Sequence, residues 1–180
     1  MRSPFAAVIL SLSLSGHLLQ AAEPTIEIRL IETQGAVPSE ATLRAIVESP
    51  GAQLMPVIRK ELPQDGVVKV SDTTPFRYAS EYSDKGEATG FETRNLGPEG
   101  EVSLKGVDGG LLEMGFKLGN AWAKAPQIYE VDGVQVVMPV FQSVRTETNL
   151  TIKRGEWSFL QVPDGDASVC FAVRVVGTKD

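Results

Sequence analysis

The sequence has one histidine, His17, and one cysteine, Cys170, among 180 residues. Residues 1–22 read as an export leader: Arg2 supplies the positive start, Phe5 to Leu14 the apolar stretch, and Gln20-Ala21-Ala22 a small-residue end before Glu23. Cleavage there leaves a mature chain without histidine. Ser-His-Asp and Cys-His triads are then excluded, as are zinc sites built on His and Cys. A lone thiol cannot form an internal disulfide, and with no base to activate it Cys170 reads as a small core residue. No phosphate-loop or dinucleotide motif is present. The leader's apolar stretch is broken by Ser11, Ser13, Ser15, Gly16 and His17, short of the roughly 20 residues of a spanning helix.

Positive charge is also scarce. Arg2 is the leader's single charged residue, so the 158 mature residues carry 16 basic against 23 acidic side chains, a net charge of −7. The basic clusters are only the pairs Arg59-Lys60 and Lys153-Arg154, too small for a phosphate-binding face, and nucleic acid is not an expected partner. Acidic groups gather at Glu81, Asp84 and Glu87 and around Gly165, without a complete calcium spacing. No cofactor, metal or catalytic residue is assigned.

What remains is β-pattern. Thr25 to Glu32 alternates apolar and polar residues as a half-buried strand. Ser39 after Pro38 is an N-cap for a short helix, Glu40 to Glu48, stopped by Ser49-Pro50-Gly51. Further strands are expected at Gly66–Ser71, Pro75–Tyr82, Gly100–Val107, Leu111–Leu118, Val134–Phe141, Ser143–Lys153, Trp157–Val162 and Ala167–Val176. Asp108-Gly109-Gly110 and Asp132-Gly133 supply the positive φ angles of hairpin turns, and Arg154-Gly155 and Asp164-Gly165-Asp166 close later connections. Strands joined this tightly are antiparallel neighbours. In the Val144–Lys153 strand, Val144, Thr146, Thr148, Leu150 and Ile152 share one face and Arg145, Glu147, Asn149, Thr151 and Lys153 the other. Ser80 to Asn95 has no periodicity and reads as a long polar loop. The expected fold is mainly β: an antiparallel sheet or sandwich with hairpin connections and one short N-terminal helix, in a single domain over residues 23–180.

Three stretches in order resemble the core domain of secretins, the ring-forming outer-membrane channels of type II and type III secretion and of type IV pili. They are Ile26-Glu27-Ile28-Arg29-Leu30-Ile31-Glu32; the segment Val67 to Gly97 containing Pro75-Phe76-Arg77-Tyr78-Ala79-Ser80-Glu81-Tyr82 and Gly90-Phe91-Glu92-Thr93-Arg94-Asn95-Leu96-Gly97; and Met138 to Ile152, a Pro followed by an Arg and alternating Thr residues in a long strand. The resemblance implies a short, non-enzymatic secretin-like protein of the periplasm or outer membrane of a Gram-negative-type bacterium. It implies partners that are further copies of the chain or other secretion-system proteins, and association with the outer membrane. The polar loop with Glu81, Tyr82, Asp84, Lys85 and Glu87 would face a lumen or partner, and the strand carrying Arg145, Thr146, Thr148, Leu150 and Ile152 would serve assembly. The ring-building modules that precede the core in complete secretins have no counterpart expected in 158 residues. The alternative reading is an exported β-sandwich that binds or supports a partner without forming a pore.

Overall fold

The structure, a computed structural model, describes residues 24–177 apart from positions 56, 64, 65 and 166. The leader lies outside the described residues. The helix α1, Glu40–Glu48, forms where its cap predicts: the Thr42 N–H donates to Ser39 Oγ at 3.2 Å, satisfying one of the open donors of the first turn. Leu43 and Val47, one turn apart, are its buried residues, and Arg44 pairs with Glu40 at 3.0 Å on the wet side. Pro50 follows at once and opens a 3-10 turn, Pro50–Leu54.

Among the described residues the strands form two antiparallel sheets. The first has the order β2-β1-β9-β8, from Val57–Glu61, Thr25–Gln34, Ala167–Val176 and Ser158–Asp164. The second has the order β3-β5-β6-β7, from Gly66–Ser71, Ala88–Asp108, Leu111–Val131 and Val134–Lys153, with β4, Thr74–Tyr82, also on β5. Ile26, Ile28, Phe171 and Val173 of the first sheet pack on Val102, Met114, Phe116, Leu118 and Ile152 of the second in one core. The outer side of the first sheet is covered as well: Ile31, Cys170 and Ala172 pack with Leu43, Val47 and Trp157. β9 is therefore buried on both faces, which suits its run of Val, Cys, Phe and Ala. The mainly β sandwich with one short helix is as the sequence predicts.

The strand lengths differ from expectation. Gly100–Val107 is part of a 21-residue strand, Leu111–Leu118 is part of another of 21, and Val134–Phe141 and Ser143–Lys153 are one strand of 20. At roughly 3.3 Å per residue each reaches about 65–70 Å, several times an ordinary strand. The polar stretch Ser80–Asn95 is not a long loop: β4 runs to Tyr82, β5 begins at Ala88, and only five residues turn between them. β2 and the half of β6 beyond Leu118 are further strands that the sequence reading left unassigned.

The long strands pair inside the sandwich and then separate. β5 and β6 pair from Asp108↔Leu111 to Gly97↔Ala121, with one register shift between Leu104 and Gly106, and part beyond that point. On its other side β5 meets β3 through Glu99 and β4 from Leu96 onward, so β3 and β4 form one edge broken at Asp72-Thr73. Gly97 makes the break fit. Its φ is +121°, and an added Cβ would stand 2.3 Å from the Asp72 carbonyl oxygen. The Asp72 N–H donates to the Pro98 carbonyl at 2.9 Å across the same point.

One buried charge ties the first sheet together. Glu27 on β1 is directly opposite Arg59 on β2 and Arg174 on β9. It accepts from Arg59 Nε at 2.7 Å and from Arg174 Nε at 3.1 Å, and Arg174 also lies over the Trp157 ring. Burial pushes the Glu27 carboxyl up, but the hydrogen bonds and charges of Arg174 and then Arg59 outweigh it and hold the group below its usual range.

Gly97→Ala should lower stability by about 1–3 kcal/mol, through strain at an angle that L side chains rarely adopt, read as a shift in the urea midpoint at unchanged slope. Glu27→Gln should cost about 2–3 kcal/mol, the worth of charge-assisted hydrogen bonds whose arginines still reach water. Because the folded carboxyl titrates below 4.5, the value without the fold, its stabilisation is full above that pH and fades as pH falls through the depressed value. The difference between wild type and Glu27→Gln should follow that course in unfolding curves. A difference that stays constant down to the acid limit would refute it.

Candidate functional site: two projecting hairpins

Beyond Gly97 and Ala121 the second sheet continues as two separate hairpins, residues 74–96 and 121–143. The first places the predicted loop residues. Glu81 and Tyr82 end β4, Asp84 and Lys85 form the turn, and Glu87 directly precedes β5. Ser83 organises that turn: its N–H donates to the Glu87 carbonyl at 2.9 Å, and its Oγ accepts from the N–H groups of Lys85 and Glu87, each at 3.3 Å. The polar residues are thus held on a tight tip rather than spread along a loop.

The second hairpin turns at Asp132-Gly133, whose φ angles are +52° and +78°, as the two-residue turn requires. Lys124↔Val140 is followed by Gln127↔Met138, so Ala125 and Pro126 stand against Pro139 alone, a bulge that accommodates two residues lacking an N–H. Because one extra residue enters β6, its faces exchange there. Below the bulge Leu112, Met114 and Phe116 point to the core; above it the opposite parity, Tyr129 and Val131, shares a face with Val134, Val136 and Met138.

The hairpins lean on each other through Phe141. Its ring is 5.9 Å from Phe76 and 4.9 Å from Tyr78, centroid to centroid, and the Arg94 guanidinium lies over it at 4.8 Å. Nearer the tips the Tyr82 hydroxyl donates to the Val137 carbonyl at 2.6 Å. Gly86 comes so close to Val134 that an added Cβ would lie 2.4 Å from a valine methyl. On β4 and β5 the Tyr78 hydroxyl donates to Glu92 at 2.7 Å, which holds the phenol above its usual range.

The two hairpins differ in chemistry. Residues 74–96 include seven charged side chains, and residues 121–143 only Lys124, Glu130 and Asp132. The second hairpin also shows apolar groups on its outer side, where Ile128, 66% exposed, stands directly opposite Val137, 50% exposed. Tyr129, Val131 and Met138 are exposed too, as are Phe76 and Phe91 on the first hairpin. Ile128 and Val137 lie on one face of the second hairpin and Tyr129, Val131 and Met138 on the other, so both of its faces expose apolar groups.

The predicted assembly residues lie lower, in the half of β7 that belongs to the sandwich. Ile152 is in the core, Thr146, Thr148 and Leu150 are half-buried on the same side, and Arg145 is exposed opposite Gly119. The alternation predicted for Val144–Lys153 holds throughout. β7 pairs with β6 on one side, and among the described residues no strand pairs with its other side, so it is an edge strand. The tip residues and the Arg145–Ile152 edge belong to one sheet but lie apart; the tip meets the upper part of β7, at Val134, Gln135 and Val137. Sequence reading missed Arg94, Ile128, Val137 and Phe141 as contact residues. The signal for the last two was the length of the apolar strand after Asp132-Gly133.

Cys170 is buried against the helix, and burial pushes its thiol up to about 12. Among the described residues no three His, Cys, Asp or Glu side chains gather to hold a metal, and no helix is long and apolar enough to cross a membrane. The latter says nothing of strands.

No protein-family model and no curated protein matches the chain. Among solved structures, the structure of Drosophila C2-DSL-EGF1 aligns at 13% identity over 86% of this chain and 68% of that one. Its TM-score of 0.24 is too low for a shared fold and carries no argument.

Proposed function

We propose that the chain is a non-enzymatic cell-envelope protein resembling the secretin core, a component of or accessory to an outer-membrane secretion or pilus channel, whose copies pool their projecting hairpins in a shared barrel. The observation that carries the reading is the length and exposure of the hairpin strands. Their four segments, 74–82, 88–96, 121–131 and 134–143, have 9, 9, 11 and 10 residues. A tilted β-strand needs about 9–11 residues to cross a bilayer.

One chain cannot close a barrel, since about eight strands are the minimum. Two copies would suffice if both hairpins entered the wall, four if only the second did. Either way the unpaired edges that are a liability in a single copy become the joints between copies, and in lipid every backbone group must find such a partner. The charge difference assigns the sides. An Arg at the lipid midplane costs about 2–4 kcal/mol, so the face of the first hairpin that carries Glu92 and Arg94 suits the water-filled side. Burying Ile128 and Val137, which share the outer face of the second hairpin, would return roughly 1.5–3 kcal/mol each.

Expressed with its leader, the protein should appear in the outer-membrane fraction as detergent-resistant oligomers. Val137→Arg should leave the unfolding midpoint of the monomer nearly unchanged while removing the oligomer from that fraction. A wild-type protein that stays a monodisperse, soluble monomer at all concentrations would refute the channel reading and leave the soluble binding module in its place.

A further inference from the structure

The outward face of the second sheet carries a row of charges that crosses all four of its sandwich strands. Lys69 on β3 stands opposite Glu101 on β5, Glu101 opposite Lys117 on β6, and Lys117 opposite Glu147 on β7. The signs alternate along the row, and Lys117 closes on Glu147 at 3.1 Å. The row begins and ends at free edges: among the described residues β3 pairs only with β5, and β7 only with β6. It therefore starts with a positive charge on one edge and finishes with a negative charge on the other. Among the described residues no strand uses that complementarity.

We propose that β7 of one copy adds to β3 of a second copy in the register that sets Glu147 against Lys69, so that the alternation continues from copy to copy. The inference rests on the reading that copies join in a ring, and it specifies the joint. Strand direction permits it. Four strands in antiparallel succession leave β3 and β7 pointing opposite ways, so a head-to-tail neighbour continues the antiparallel ladder and the contact can repeat until the ring closes.

The register follows from the faces. A slip of one residue would turn the inward Val68 and Val70 of β3 outward, so only even shifts are open. Shifting one way by two residues puts Lys69 against Arg145, and shifting the other way puts it against Asn149. Only the unshifted register sets opposite charges face to face. It also brings Val70 level with Thr146 and Val68 level with Thr148 on the inward side, where no charge blocks approach. A lone edge Lys guards a strand against pairing with most partners, and Glu147 is the partner that neutralises it.

The test uses single cysteines in the full chain. Lys69→Cys and Glu147→Cys proteins are mixed, allowed to assemble and oxidised mildly; Cys170, being buried, does not compete. The mixture should give a disulfide-linked dimer at least tenfold above either variant alone and above a mixture using exposed Asp108→Cys in place of Lys69→Cys. Lys69→Glu should reduce assembly about tenfold, and reversing all four charges of the row in one chain (Lys69→Glu, Glu101→Lys, Lys117→Glu and Glu147→Lys) should recover it. Rings that form without the disulfide between positions 69 and 147 would overturn this joint while leaving the ring reading intact. The link without rings would support the joint and refute the channel. Neither rings nor link would overturn both.

Discussion

Register is the constraint on which the rest of the molecule depends. β5, β6 and β7 are paired inside the sandwich and continue without interruption into the hairpins, so the core fixes the phase of everything that projects. Val102, Met114, Phe116 and Ile152 all face inward, and a slip of one residue would move that entire set into water. At about 1.5–3 kcal/mol for each fully buried side chain, no preference in the exposed segments could compete. The projecting hairpins are thus not free to choose which side chains they show. The adjustments available to them are register shifts: those at Ala79 to Tyr82 in the first hairpin, and the bulge at Ala125-Pro126, which exchanges the faces of β6 and leaves Ile128 and Val137 as an exposed pair.

A register can be held only by a base that does not shear. The first sheet supplies this by being covered on both sides, by the second sheet and by α1. Glu27 joins three adjacent strands at one level through Arg59 and Arg174, and Trp157 lies beneath the guanidinium groups of both Arg29 and Arg174. Arg29 also donates to the Ala52 carbonyl of the 3-10 turn, so the cover is fastened to the sheet it protects. Asn120, one residue below the point where β5 and β6 part, donates to Glu32 of the first sheet at 3.1 Å. Gln142 at the base of the second hairpin likewise donates to Asp164 of β8, so that hairpin is fastened to the first sheet where it starts to project.

The legible parts of the sequence were those where burial on one face imposes a period. α1 was found with its cap, β3 and β9 with their ends, and the turns at Gly109-Gly110 and Asp132-Gly133 with their positive φ angles, because each has a local chemical cause. The illegible parts are those with no buried face. Glu81 to Asn95 forms a hairpin exposed on much of both sides, so its polar residues need not alternate, and it reads as loop. Gly119 to Gln127 mixes small residues with a proline, and the bulge changes the parity in its midst, so a period-two search loses the strand although the chain does not leave the sheet. The candidate contact residues shared this fate. Tyr82 was singled out for its polar setting, whereas its partner on β7 is a backbone carbonyl that carries no side-chain signature.

The contacts between the two hairpins are weak beside those that hold the core. The Phe76–Phe141 and Tyr78–Phe141 pairs are worth about 0.5–1.5 kcal/mol each, the Arg94 cation over Phe141 about 0.5–1, and the Tyr82 hydrogen bond about as much again. That sum, a few kcal/mol at most, is enough to keep the hairpins together in a solitary chain and to shield part of their apolar surface. It is small against the backbone ladder and side-chain burial that a neighbouring strand would offer along β7. The hairpins are accordingly joined firmly at their base and loosely along their length, so a change in how they lean on each other would not disturb the sandwich from which they grow.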